Sequence, residues 1–167
     1  MLEGGDTRSI GKVPDVIRLV GDDPVKFSEL LEGIYSPDEV VRLRSADAIE
    51  KISRRRPGLL QAKKKELIKY IGTYEHPEVF WQLSVALSYL ELTKKELPGI
   101  ISKLIEWLNG DKMNQFAKVN CMQALANIAE KNPWFKKEVA GIIEEQMEKG
   151  KAAIKARGRI LLKKLSR

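Results

Sequence analysis

The sequence has few side chains whose chemistry points to catalysis. Its one histidine, His76, lies in YEHPEV, where Glu75 and Glu78 are near it in sequence only. A general base needs a partner aimed at it, and zinc needs more ligands than one histidine and one cysteine supply. Cys121 occupies a small-residue position of an apolar helical pattern, which is typical of a buried thiol. Without a phosphate loop, HExxH or GxSxG motif, we expect a non-enzyme that holds no metal and no cofactor.

Two basic clusters in the first half of the chain could contact an anionic partner. SRRRP places arginines at the predicted end of a helix, where cations also interact favourably with the helix dipole. AKKKELIK places lysines on the following helix, two of them four residues apart on one face. A solvated helix face explains these lysines as well, because the matching positions of the next such helix are not basic. The candidates here are Arg54, Arg55, Lys65 and Lys69.

The last segment, KGKAAIKARGRILLKKLSR, has no acidic residue after Glu148. An apolar stripe should dock this helix on its neighbour and leave a purely cationic opposite face; its members are Ile154, Leu161, Leu162 and Leu165. Such a helix could simply cap a repeat array, whose outer face must be polar. It could also contact phosphates or an acidic protein, whereas membrane binding is disfavoured by the lack of aromatic anchors. The candidates are Lys155, Arg157, Arg159, Lys163 and Lys164, with Arg167 beyond them.

The three tryptophans are Trp81, Trp107 and Trp134. An exposed tryptophan can stack on a nucleic-acid base or anchor a peptide. Packing between helices is the alternative, and it is favoured for Trp81 and Trp107. Trp134 follows a proline at a predicted helix start, so its role stays open.

Composition describes a folded protein with a pronounced charge gradient. Of the 167 residues, 43% are hydrophobic and 32% are charged, which excludes a disordered chain. Net charge is −5 over residues 1–50, +5 over 51–110 and +7 over 111–167. There is no apolar run long enough for a membrane span and no secretory h-region, and one cysteine permits no internal disulfide. We therefore expect a cytoplasmic protein without a membrane span.

One twelve-residue pattern recurs four times and indicates how these side chains are positioned. VRLRSADAIEKI begins at Val41, and similar segments begin at Trp81, Ala117 and Ile154, at spacings of 40, 36 and 37 residues. Positions one, five, eight, nine and twelve share one face of a helix and are mostly apolar or small. A fixed period of this size is typical of stacked helical repeats, whose units bury their faces against one another.

A second apolar helix is predicted between successive copies of the pattern. These segments end near glycines, and prolines mark the joints between helices, as expected at helix boundaries. We predict a flexible arm over residues 1–12 and a single repeat domain over 13–167. Its helix pairs span about 13–35, 37–72, 77–110 and 113–149, and a capping helix spans 151–167.

The pattern VRxxAxxALxxI after an acidic or proline turn resembles the HEAT repeat, and the resemblance covers the chain from about Pro24. It implies an all-α fold, a right-handed α-solenoid of antiparallel helix pairs of the ARM-repeat type, with about eight or nine helices. In that family an Asp and an Arg form a hydrogen-bonded ladder between repeats. Asp38 and Arg42 match those positions, but the pairs Glu78 with Gln82, Asn114 with Lys118 and Lys151 with Lys155 depart from them.

The resemblance specifies architecture far more than function. It favours a non-catalytic binding module or scaffold for a protein partner of unknown identity. The alternative is a nucleic-acid-binding protein that uses the basic C-terminal half. HEAT-like DNA glycosylases form a third class, although their motif residues cannot be matched here. The acidic first repeat and basic last helix also leave self-association and the oligomeric state open.

Overall fold

A computed structural model of the protein describes residues 1–4, 9–73, 76–110 and 113–166. This part of the chain is all-helical, which confirms the all-α prediction. The α-helices are α1 (Val13–Val20), α2 (Pro24–Glu32), α3 (Glu39–Arg55), α4 (Pro57–Gln61), α5 (Lys64–Thr73), α6 (Phe80–Leu87), α7 (Leu97–Asn109), α8 (Gln115–Lys131), α9 (Lys136–Lys149) and α10 (Ala152–Leu165). Short 3-10 turns cover Gly33–Tyr35, Pro77–Val79 and Pro133–Phe135.

Helix starts follow the local sequence closely. Asp23 and Asp38 cap α2 and α3 by accepting hydrogen bonds from backbone N–H groups, and Asn114 does the same for α8. Proline occupies the first turn of α1, α2, α4 and α7, where the missing N–H removes no intrahelical bond. None of the helices in the described ranges is long and apolar enough to cross a bilayer.

The structure has ten α-helices in its described part, against the eight or nine expected. The helix predicted over 59–72 is divided into α4 and α5, because the chain turns at Ala62 and Lys63. Helix α6 ends at Leu87, five residues before the end of its pattern. There the Ser88 hydroxyl donates to the Val85 carbonyl at 2.6 Å, and such a side-chain bond competes with continuation of the helix.

The chain divides into two compact units, Met1–Glu91 and Leu92–Arg167. In the first unit α3 packs against α1, α2 and α6; in the second, α8 packs against α7, α9 and α10. The recurring pattern faces these cores as expected in α3, α8 and α10. Its buried members there are Ser45, Ala48, Ile49, Ile52, Ala117, Cys121, Ala124, Leu125, Ile128, Ile154, Gly158, Leu161 and Leu165.

Side-chain hydrogen bonds within each unit join residues about one repeat apart in sequence. In six residue pairs the separations are 34 to 39 residues, close to the spacing of the twelve-residue pattern. The pairs are Arg42–Glu78, Tyr70–Ile34 and Tyr89–Glu50 in the first unit, and Gln146–Asn109, Arg157–Gln123 and Lys164–Glu130 in the second. Other long-range side-chain bonds of the first unit, such as Lys64–Glu91 and Arg44–Leu2, extend the range to between 27 and 42 residues.

Candidate functional site

The histidine and the cysteine belong to different units of the chain. Cys121 is buried on α8, in the second unit. His76 lies in the first unit, half-buried, with its Nδ1 3.7 Å from Glu78 Oε1. Glu75, the other acid near His76, lies outside the described residues. Across residues 1–4, 9–73, 76–110 and 113–166, no three His, Cys, Asp or Glu side chains are grouped as metal ligands.

Arg54, a candidate for partner contact, is already engaged by its own unit. Its guanidinium donates to Glu50 at 2.8 and 2.9 Å, and Tyr89 donates its hydroxyl to the same carboxylate at 2.7 Å. Burial raises the pKa of Tyr89 to about 12, and its bond to Glu50 acts in the same direction. The hydrogen bond to Glu50 raises the pKa of Arg54. This cluster is a tether between α3 and the segment after α6, and it compensates the arginine's charge.

The other candidates of the first unit are exposed on two different helices. Arg55 is in the last turn of α3, and Lys65 and Lys69 are exposed on α5, one helical turn apart. Their neighbour Lys64 donates instead to the Glu91 carbonyl at 3.2 Å. The structure therefore provides a small cationic surface on α5, to which Arg54 adds little net charge.

Helix α10 separates its five candidate cations into two kinds. Arg157 donates to the side chain of Gln123 on α8, and Lys164 Nζ lies 2.5 Å from Glu130 Oε2. The others are exposed on the opposite side of the helix at four-residue intervals, namely Lys155, Arg159 and Lys163. Arg167 lies outside the described residues.

The exposed face of α10 is less uniform than the sequence predicted. A purely cationic face was expected, yet Ile160 is 58% exposed beside these lysines and arginines. Gly158, rather than Leu162, completes the buried stripe, because α10 approaches Met147 and Ile143 of α9 too closely for a side chain at that position. The close approach turns the helix so that Ile160 faces outward.

The tryptophans occupy three different environments. Trp107 is 2% exposed in α7, as expected for a packing residue, and Trp81 is half-buried in α6. Trp134 is 70% exposed, the highest value among the large hydrophobic side chains in the described part of the chain. Sequence periodicity did not decide this position, because the residue lies in a 3-10 turn rather than on a helix face.

Two buried arginines were not identified as site residues from the sequence. Arg42 binds Glu78 Oε1 at 2.6 and 2.7 Å and also donates to the Ser36 and Pro37 carbonyls. Asp38 does not pair with it but caps α3. Arg44 donates to the carbonyls of residues 2, 4 and 9. The sequence signal for the Arg42–Glu78 pair was the acidic residue directly after a proline in the next predicted repeat. Nothing in the local sequence indicates the contacts of Arg44.

The first unit also contains an open cavity of about 400 Å³ between α1, α2, α3 and residues 1–3. Its lining is mainly apolar, with Lys26 and Glu29 among the polar members. The Ser45 hydroxyl reaches it and has no hydrogen-bond partner among the described residues.

A scan against protein-family models found no match, and searches of curated proteins and of solved structures found none either. The class that the geometry itself defines is a protein that is all-helical in its described part, with helices that pack against each other within each of two units.

Proposed function

We propose that this protein is a non-catalytic binding module built of HEAT-like repeats in a right-handed solenoid, and that it binds another protein. The observation that carries the proposal is the set of hydrogen bonds between residues 34 to 39 positions apart. Stacked repeats produce such links because neighbouring repeats pack side by side, which brings residues about one repeat apart in sequence into contact. Together with the recurring pattern, they support a repeat scaffold whose exposed faces bind partners.

The exposed charge on α5 is the surface that we assign to the protein partner in the first unit. Lys65 and Lys69 are exposed on a second helix of a repeat, the position that lines the concave face in HEAT-like folds. Rim charges of this kind speed and orient association more than they add affinity. An acidic protein surface is the complement that these residues fit.

Affinity capture from extract of the source cells, with and without nuclease, tests this proposal. The matched variants are Lys65→Glu/Lys69→Glu on α5 and Lys155→Glu/Lys163→Glu on α10. We expect a protein partner that persists after nuclease treatment, is lost with the α5 variant and is retained with the α10 variant. Recovery of nuclease-sensitive material alone would reject the protein-binding function. Turnover abolished by a point mutation would reject the non-catalytic assignment.

A second candidate function is nucleic-acid binding through the basic C-terminal half. The specific observation is that Lys155, Arg159 and Lys163 are exposed at four-residue intervals on α10. The unit that carries them has 16 basic and 8 acidic residues, a net charge of +8. Binding through these cations should weaken steeply with salt, because phosphate contacts release condensed counterions. Lys155→Ser/Arg159→Ser/Lys163→Ser should reduce the salt dependence without unfolding the chain; an unchanged slope would reject this face.

A further inference from the structure

Trp134 is held outward by the turn that contains it. The 3-10 turn Pro133–Phe135 buries Phe135, which is 2% exposed, and Trp134 lies beside it with ring centroids 5.5 Å apart. The Phe135 N–H donates to the Asn132 carbonyl at 2.9 Å, and the Asn132 side chain donates to the Ile128 carbonyl at 2.9 Å. The buried neighbour and these bonds fix the turn, so the indole is presented to solvent in a defined place.

Three helix ends meet at this turn. Helix α8 ends just before it and α9 begins just after it. Lys164 of α10 contacts Glu130 in the last turn of α8. Helices α9 and α10 are joined by two residues and pack together, with Gly158 against Ile143, so they run antiparallel. The last turn of α10 therefore lies beside the first turn of α9.

All three helix ends that meet at this turn carry lysines. Lys131, Lys137 and Lys163 are exposed, and Lys136 is half-buried. The acids at this end are Glu138 and Glu130, and Glu130 is paired with Lys164. We name this surface the Trp134 patch, formed by Lys131, Trp134, Lys136, Lys137, Lys163 and Lys164.

The opposite end of α9 has the reverse charge. Glu144, Glu145 and Glu148 are exposed there, and Lys149 is paired with Glu145 at 2.6 Å. Along α10, Lys155, Arg159 and Lys163 are about 6 Å apart in rise, since four helical residues advance that distance. Residues 152 and 156 on the same face are alanines, whose small side chains do not project beyond these cations. An anionic chain would be attracted to the cations along α10 and at the Trp134 patch more than to the other end, where Lys149 and Lys151 are outnumbered by three glutamates.

We propose that the Trp134 patch binds a single-stranded nucleic acid, with a base stacked on Trp134 and phosphates on the surrounding lysines and the α10 stripe. The inference rests on the second function proposed above. An exposed indole flanked by cations can contact both the bases and the phosphates of a single strand, because every base has a π-face and every phosphate linkage carries a negative charge. A duplex keeps its bases inside its own stack, so it could use the lysines but not the indole. The carboxylates of an acidic peptide could use the lysines, but they would not stack on the indole.

The test uses labelled oligothymidylate and oligouridylate as probes of the whole protein, with binding measured by anisotropy across a salt series. Trp134→Ala should weaken binding by about 5- to 160-fold, the range measured for loss of one stacked base, and leave the salt slope unchanged. Trp134→Phe should restore much of the affinity. Lys137→Ser/Lys163→Ser should instead lower the slope of log affinity against log salt by about 0.7 for each phosphate that is no longer neutralised.

Phe116→Ala provides the matched control. Phe116 is also exposed, at 60%, but it lies in the first turn of α8, at the other end of that helix from Trp134. We expect this variant to bind both oligonucleotides as the parent does, and circular dichroism would show that both alanine variants keep their helix content.

The outcomes separate this inference from the function on which it rests. Salt-dependent binding that is unchanged in Trp134→Ala would overturn the stacking role and leave the nucleic-acid function standing. Absence of oligonucleotide binding at low salt would overturn both. Equal competition by polyglutamate, together with unchanged Trp134→Ala binding, would make the patch a site for acidic proteins and overturn the inference.

Discussion

The two units of the chain use their charged residues in different ways. Unit Met1–Glu91 has 14 basic and 15 acidic residues, and unit Leu92–Arg167 has 16 and 8. In the first, buried charges link neighbouring helices, as in Arg42–Glu78 and the Glu50–Arg54–Tyr89 cluster. In the second, the ion pair Lys164–Glu130 lies at the surface, and the partly buried links Gln146–Asn109 and Arg157–Gln123 use neutral acceptors.

This difference explains why the second unit has the stronger candidate surface. A cation that is held by a buried carboxylate has little charge left for a partner, as with Arg54. A cation on an outer helix face keeps its charge, as with Lys155 and Arg159 on α10. The first unit nearly balances its charges and keeps exposed cations such as Lys65 and Lys69 on α5, whereas the second unit has a net charge of +8.

The largest effect should come from breaking a buried ionic link. Arg42→Ala leaves Glu78 without its partner in a mostly buried place, where the two side chains are 11% and 23% exposed. We expect a loss of roughly 2–4 kcal/mol in the free energy of unfolding, because the cost of burying the remaining carboxylate is no longer offset. Urea unfolding followed by circular dichroism would measure it.

Lys164→Ala is the matched change in the second unit, since it breaks an exposed ion pair between similarly spaced residues. We expect it to cost less than about 1 kcal/mol. Equal losses for the two variants would contradict the difference drawn between the units. The double variant Arg42→Met/Glu78→Gln should recover part of the stability, because it leaves no unpaired charge.

Close helix approach offers a second comparison. A Cβ at Gly33 would lie 2.9 Å from Ser45 Cβ, which is fixed to the backbone of α3. We expect Gly33→Ala to cost about 1–3 kcal/mol of unfolding free energy through overpacking. At Gly158 the atoms that must move belong mainly to the flexible Met147 side chain. Gly158→Ala should therefore cost less, because alanine also gains helix propensity of up to about 1 kcal/mol.

Gly141→Ala is the control for both glycine variants. Gly141 lies within α9 and has open space around it, so this change should stabilise the protein by up to about 1 kcal/mol. Thermal unfolding of the three variants would rank them. Equal unfolding midpoints for Gly33→Ala and Gly158→Ala would show that Ser45 can move away from an added methyl group. The double variant Gly33→Ala/Ser45→Gly removes the Ser45 side chain and so tests this contact directly.

Tyr89 should give the first unit a distinct dependence on alkaline pH. Its pKa is raised from about 10 to about 12 in the folded state, so protonated phenol favours folding. The stabilisation is fully present below about pH 10 and is lost as the pH rises through about 12. Tyr89→Phe should be less stable at neutral pH and should show a flatter decline between these values. Parallel stability curves for the two proteins would contradict the assignment.

The smallest effect is expected at the exposed pair of α9. The hydrogen bond to Glu145 raises the pKa of Lys149, and both side chains are largely solvated. Glu145→Gln should lower that pKa and leave the urea midpoint unchanged, because surface pairs contribute little to folding. NMR titration of the lysine ε-methylene would follow the pKa, and a clear fall in the midpoint would contradict this interpretation.

Much of the helical framework could be predicted from the sequence. Caps such as Asp38 and Asn114 and the apolar period of α3, α8 and α10 act over a few residues, so local pattern identifies them. The end of α6 could not be predicted in this way. Its pattern continues to Leu92, but Ser88 binds the backbone and Tyr89 is drawn to Glu50, which is 39 residues earlier.

The candidate site was predictable only as a set of charges. The sequence identified nine cations, and the structure distinguishes compensated ones such as Arg54 and Lys164 from exposed ones such as Lys155. The structure also shows that Trp134 is in solvent. Helical periodicity could not assign this residue to a buried or an exposed face. HEAT-like stacking stays a prediction, which is supported by the hydrogen bonds between residues about one repeat apart.

By itself the sequence determined the helices, their caps and the faces that become buried, because those depend on neighbours three or four residues away. Only the tertiary structure decided which charges are cancelled and which aromatic remains in solvent. The reason is physical: a charge is cancelled by whatever group lies within about 3 Å of it. Arg54 finds Glu50 on its own helix, but the partners of Arg42 and Lys164 are 36 and 34 residues away along the chain, so only tertiary packing brings them together.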